Sequence, residues 1–172
     1  MNWLWLSVVI LAADQLSKQL AEQLLSAHQA VPVIANLNWT LMYNEGAAFS
    51  FLSDAGGWQR WFFIALSSAI SVFIFFWLKQ TSREKKLLGV SLALILGGAI
   101  GNLVDRILFG HVIDFIQYYY QANSCLPGFS QWQLATGSTC FWPAFNIADA
   151  AIMLGAALLL IDMVKEHFEE KK

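Results

Sequence analysis

Two acids carry the chemistry most readily. Asp114 stands in Val112-Ile113-Asp114-Phe115 and Asp149 in Ile147-Ala148-Asp149-Ala150. Both are flanked by apolar residues, and neither has a Lys or Arg three or four residues away. Neither therefore has a local ion-pair partner along the chain. Brought close together, two such carboxyls repel as anions and lose hydration, so the pair retains one shared proton. The ionised acid can then take a proton from water while the neutral acid donates to a scissile carbonyl. Structural networks and proton relays use perturbed acids too, and those readings stay open at this point.

Other polar residues gather around these two. Gly98, Asn102 and Arg106 fall at i, i+4, i+8, and Asn146 precedes Asp149 by three. Each set lies on one helix face, so the polar groups can point at one another. Asp14 and Lys18 are four apart, the spacing of a structural ion pair. Asp105 beside Arg106 fits a helix-end interaction, and Arg106 fits an anionic head group or a substrate carbonyl. A metal-dependent hydrolase would draw on Asp105, His111, Asp114 and Asp149, but the chain has no H-E-x-x-H or comparable ligand motif. We expect no metal and no other cofactor. His28, His111 and His167 read as ordinary surface histidines.

The elements that must position these residues are set by composition. The chain has 172 residues, 58% hydrophobic and only 13% charged. A soluble domain carries about 25% charged residues, so half that charge points to one integral membrane domain. The net charge of −2 offers no nucleic-acid footprint. A bilayer core needs about 20 helical residues. Four spans meet this, at about 3–25, 58–78, 87–106 and 141–162, with outer loops 26–57 and 107–140. The first has a polar second half, with Leu11, Leu16, Leu20 and Leu24 free to face elsewhere; without a basic leader segment it does not read as a cleaved signal peptide. Asp149 falls in the outer third of the fourth.

Seven basic residues lie in the loop after the second span and in the tail, and the two long loops hold none. The positive-inside rule then puts both termini in the cytoplasm. Leu37, Trp39, Leu41 and Tyr43 alternate with polar or smaller residues, which predicts a small β element in the first outer loop. The predicted fold class is an all-α membrane protein with that one extracytoplasmic addition. Cys125 and Cys140 share the second outer loop, where an oxidising compartment permits a disulfide without requiring it.

Five blocks then carry a resemblance. Asp14-Gln15-Leu16-Ser17-Lys18, Asn44-Glu45-Gly46-Ala47-Ala48-Phe49, Gly97-Gly98-Ala99-Ile100-Gly101-Asn102-Leu103-Val104-Asp105-Arg106, Val112-Ile113-Asp114-Phe115 and Phe145-Asn146-Ile147-Ala148-Asp149 resemble, in order, the blocks of bacterial lipoprotein signal peptidase, signal peptidase II. The resemblance implies an aspartic endopeptidase of the inner membrane, active near the outer leaflet. It would cut prolipoproteins before a diacylglyceryl-modified cysteine. It assigns catalysis to Asp114 and Asp149, substrate contacts to Asn44, Gly46, Asn102, Arg106 and Asn146, and support to Asp14 and Lys18, with Asp105 counted beside them. It also implies sensitivity to globomycin; we expect a monomer.

One feature departs from the family pattern. Residues 115–148, 34 of them, separate the two acids, more than the family usually has. The extra stretch, around 121–141, leads us to expect a lid or docking surface, stapled if the cysteines pair. The competing reading is a small proton-coupled transporter with Asp14, Asp105, Asp114 and Asp149 as its relay. Almost purely apolar inner halves of spans two to four count against a path.

Overall fold

The computed structural model describes residues 3–46, 57–122, 124–134 and 137–169. Ala47, Ala48 and Phe49 of the second block lie outside them. Four long helices form: α1 Leu4–Leu24, α2 Trp58–Gln80, α3 Lys86–Leu108 and α4 Ile147–Glu169. Three of them, α2, α3 and α4, are long and apolar enough to cross a membrane, each with mean hydropathy 2.1 over its best window.

α3 is the central helix. It touches each of the other three, and most of its best apolar window is buried. Gly98 and Gly101 explain how neighbours come so near. A Cβ on Gly98 would strike the Ala148 carbonyl oxygen, and one on Gly101 would come within 2.5 Å of an Asp14 carboxylate oxygen. Small residues at such positions let helix backbones approach. Below this seam Leu88, Leu92, Ala93 and Leu96 join Ile74 and Leu78 in an apolar cluster.

α1 is turned opposite to a soluble helix. Its buried residues are Ser7, Asp14, Lys18 and Ala21, while Leu16, Leu20 and Leu24 are exposed. The polar stripe faces the protein and the leucines face outward, as the spacing of Asp14 and Lys18 predicts.

The segments between the helices hold more structure than expected. Five strands, β1 Ala30–Ile34, β2 Leu37–Asn44, β3 Val112–Ala122, β4 Ser130–Leu134 and β5 Gly137–Phe141, form an antiparallel sheet in the order β1-β2-β3-β5-β4. The predicted β element is β2. The other strands correct the all-α reading, because the run 107–140, read as loop, supplies three of them. Their alternation was masked by the aromatic run Tyr118-Tyr119-Tyr120 and by polar residues.

The fourth helix is a second correction. It starts at Ile147 and runs to Glu169, instead of covering 141–162. Phe141 belongs to β5, Trp142 N–H donates to the Tyr118 carbonyl, and Phe145 exchanges backbone bonds with Ile116. Pro143 disfavours helix at the residue before it. Apolar composition could not separate this extended segment from the helix that follows. Asp149 consequently lies in the first turn of α4.

Candidate functional site

The site is assembled where α1, α3, the start of α4 and the β2–β3 pair meet. Its foundation is Lys18, 1% exposed. Its ammonium donates to an Asp14 carboxylate oxygen, an Asp105 carboxylate oxygen and Asn102 Oδ1, at 2.8, 2.8 and 2.9 Å. These are three acceptors for three N–H groups, which is what a buried ammonium requires. Asp14 and Lys18 thus form the expected ion pair, with Asp105 as a third member.

The two supporting acids are tied to other elements as well. Asp14 accepts the backbone N–H of Ala148 at 2.9 Å, linking α1 to α4. Asp105 accepts the N–H of Ile113 at 3.2 Å, linking α3 to β3. Asp105 also accepts Gln15 Nε2 at 2.8 Å. Gln15 was not among the candidate site residues; its signal was a polar side chain directly after Asp14 on a mostly apolar helix.

Lys18 fixes the next layer. With Asn102 Oδ1 turned to Lys18, Asn102 Nδ2 points the other way and donates to Asp149 Oδ1 at 2.7 Å. Asn146 sits between the two principal acids. Its Nδ2 donates to Asp114 Oδ1 at 2.7 Å and approaches Asn102 Oδ1 at 3.1 Å. Its Oδ1 accepts the N–H of Asp149 at 2.9 Å, and Asp149 Oδ2 accepts the N–H of Asn146 at 3.2 Å. That reciprocal pair is a capping box at the start of α4. The same bonds that begin the helix also orient Asp149, whose charge suits a helix N-terminus.

Asp114 comes from β3 and is 2% exposed. Its second oxygen accepts Asn44 Nδ2 from β2 at 3.1 Å. Burial, with the nearby charge of Asp149 second, raises its pKa to about 7; the Asn44 and Asn146 amides and Lys18 oppose the rise. Asp149 is only partly buried. The pair is therefore asymmetric: Asp114 is enclosed and Asp149 is partly exposed.

Arg106 stands beside the acids, 9% exposed, with its guanidinium 5.2 Å over the Phe63 ring. Its Nη2 donates to the Gly46 carbonyl at 3.0 Å, so Gly46 meets the site through its backbone. Its Nε has no hydrogen bond among the described residues. Arg60, at the start of α2, caps the end of α3, donating to the carbonyls of Arg106 and Ile107 at 2.9 and 2.8 Å. All ten candidate residues thus fall in one connected cluster. Among the described residues, no three His, Cys, Asp or Glu are grouped as metal ligands.

The sequence model of the family described as signal peptidase (SPase) II matches residues 6–165. The chain belongs to the signal peptidase II family. Membership makes it a peptidase, and with its apolar helices a multi-pass membrane protein. A lipoprotein signal peptidase from Ectopseudomonas mendocina (strain ymp) is 48% identical over 171 residues, covering 99% of this chain and 92% of its own. One from Acinetobacter baumannii is 50% identical over 160 residues, covering 93% and 81%. A solved structure described as a bacterial membrane enzyme has a TM-score of 0.76 at 26% identity, covering 96% of this chain and 88% of its own. Family membership takes the place of the transporter reading.

Proposed function

We propose that this signal peptidase II family member removes the signal peptide from diacylglyceryl-modified prolipoproteins, cutting before the lipidated cysteine. Asp114 and Asp149 act as the acid pair, and water is the nucleophile. The observation that carries this is Asn146, which holds Asp114 by its side chain and Asp149 by its backbone. One proton shared by the pair serves both steps: the ionised carboxylate takes a proton from water, and the neutral carboxyl donates to the scissile carbonyl. Arg106, whose Nε has no hydrogen bond among the described residues, binds substrate near the lipid head, with Asn44, Gly46, Asn102 and Asn146 lining the site. Asp14, Lys18 and Asp105 support them.

The setting follows from the same reading. The chain is a single domain in the bacterial inner membrane. α1 is a fourth crossing, both termini are cytoplasmic, and the site lies near the outer leaflet, where the cleavage site of a membrane-inserted signal helix lies. Seven basic residues on the inner side support that orientation. The enzyme works as a monomer without a cofactor and is inhibited by globomycin.

A gel-shift assay in detergent tests this with a diacylglyceryl prolipoprotein, its unlipidated twin, and the Asp114→Asn and Asp149→Asn proteins, each with and without EDTA. The expected result is cleavage of the lipidated form alone, unaffected by EDTA and lost in both variants. Cleavage by either variant at the wild-type rate would sink the acid pair.

A further inference from the structure

Asn146 reaches Asp114 because the chain returns antiparallel along β3. The ladder runs from Ala122 opposite Ser138 to Tyr119 opposite Phe141. It continues with Trp142 N–H donating to the Tyr118 carbonyl at 2.9 Å. Phe145 then donates to the Ile116 carbonyl and accepts from Phe115 and Ile116. One step later the chain delivers Asn146.

At the acid end the ladder closes on Phe145, whose backbone bonds Phe115 and Ile116. From Trp142 to Phe145 the return segment takes three residues where β3 takes two, from Tyr118 to Ile116. That is a bulge, and it holds Pro143. The register is tied at the far end as well. Cys140, fully buried, pairs opposite Tyr120 and is disulfide-bonded to Cys125. The Leu126 N–H donates to Tyr120 Oη at 2.7 Å. Phe129 places its ring 5.0 Å from Tyr120 and 5.1 Å from Trp142. Three separate ties hold the 125–129 turn against the ladder.

The geometry points to this inserted hairpin as a positioning device: the Cys125–Cys140 bridge holds the register that sets Asn146 against Asp114 and so aligns the acid pair. The inference rests on the acid pair proposed above. The bridge acts through the backbone, because Tyr120 is six residues, roughly 20 Å, along β3 from Asp114. A slip of one residue moves the return segment by about 3.3 Å and turns its side chains to the other face. The 2.7 Å bond from Asn146 to Asp114 does not survive that shift. A hairpin that merely covered the site or docked substrate would leave this alignment alone, so the two roles separate in kinetics.

The test measures kcat and KM for the full-length protein on a diacylglyceryl prolipoprotein, alongside helical melting. Three preparations are compared: oxidised wild type, wild type reduced with tris(2-carboxyethyl)phosphine, and Cys125→Ala/Cys140→Ala. The phosphine takes the bridge to two thiols and becomes its oxide. Diamide afterwards takes the two hydrogens, becomes the hydrazine and re-forms the bridge. Reduction is expected to lower kcat by about ten-fold or more, the scale of a small misplacement of reacting groups, with KM nearly unchanged. Diamide is expected to restore kcat. Unchanged kcat after reduction overturns the inference. A rise in KM alone overturns it in favour of a docking surface. Loss of the helical melting transition on reduction overturns it in favour of a general staple. If oxidised wild type fails to cleave, the functional reading falls and takes this inference with it.

Discussion

Lys18 donates to Asn102 Oδ1 at 2.9 Å, and this one bond decides which way the Asn102 amide faces. A side-chain amide has an acceptor end and a donor end. With the acceptor committed to the lysine, the donor is delivered to Asp149 at 2.7 Å. A buried cation thereby orients the amide that holds Asp149.

Replacing Lys18 by Met leaves Asp14 and Asp105 buried without their cation and frees the Asn102 amide to turn. Breaking a buried ion pair from one side costs about 3–5 kcal/mol. The Lys18→Met protein is expected to melt well below wild type and to lose most of its activity. Melting curves in detergent, read beside the cleavage rate, check this; an unchanged melting point would remove the triad from the account.

Asn146→Asp separates helix capping from orientation. Asp is as good an N-cap as Asn, so α4 is expected to keep its start. The amide donor to Asp114 is lost, and a third negative charge enters between the two acids. Activity is expected to fall by roughly 100-fold or more with little change in helical content, the size of effect that misplacing reacting groups produces. Circular dichroism and the cleavage assay measure the two quantities; near-normal turnover would show that the bridge through Asn146 is dispensable.

The raised pKa of Asp114, about 7, gives two pH expectations. Cleavage should decline as pH rises through about 7, because the second carboxyl then loses the shared proton. Stability moves the same way. The folded state holds the Asp114 proton up to about pH 7, while the unfolded chain releases it near 3.8. Between those values the folded state binds more protons, so stability falls as pH rises. The contribution is fully present below 3.8 and lost above 7. Asp114→Asn has no proton to lose there. Its melting point relative to wild type should therefore climb from pH 5 to pH 8. A difference that stays flat across that range would contradict the raised pKa.

Gly101→Ala probes the helix seam. The added Cβ meets Asp14 Oδ2 at 2.5 Å, an atom already fixed by Lys18 and connected through the other carboxylate oxygen to the Ala148 N–H. Overpacking of this kind costs about 1–3 kcal/mol. Here it should also displace α1 and lower activity. Gly57→Ala is a contrasting site with open space around the new Cβ, though its φ of 95° adds backbone strain of its own. A Gly101→Ala enzyme with wild-type melting and turnover would show that the seam gives way freely.

The sequence by itself determined the membrane character and the long helices, and it named residues that the fold gathers into one cluster. Low charge and long apolar runs demand a bilayer, and each unpaired intramembrane acid must find a partner inside the protein. Those demands are local, so they are legible in Asp149 and the Asn102–Arg106 stripe, while Asp114 on β3 stands out by its apolar neighbours. The β2 alternation was legible for the same reason. The three strands in residues 107–140, the start of α4 at Ile147 and the Cys125–Cys140 bond were settled only in three dimensions. Each depends on pairing between segments far apart in the chain: Phe145 on Ile116, Cys140 on Tyr120, Ala148 on Asp14. A run such as Phe141-Trp142-Pro143-Ala144-Phe145 is apolar enough for a helix or a strand. The hydrogen bonds offered by β3 make it extended, and tertiary structure thereby sets Asp149 at the mouth of α4.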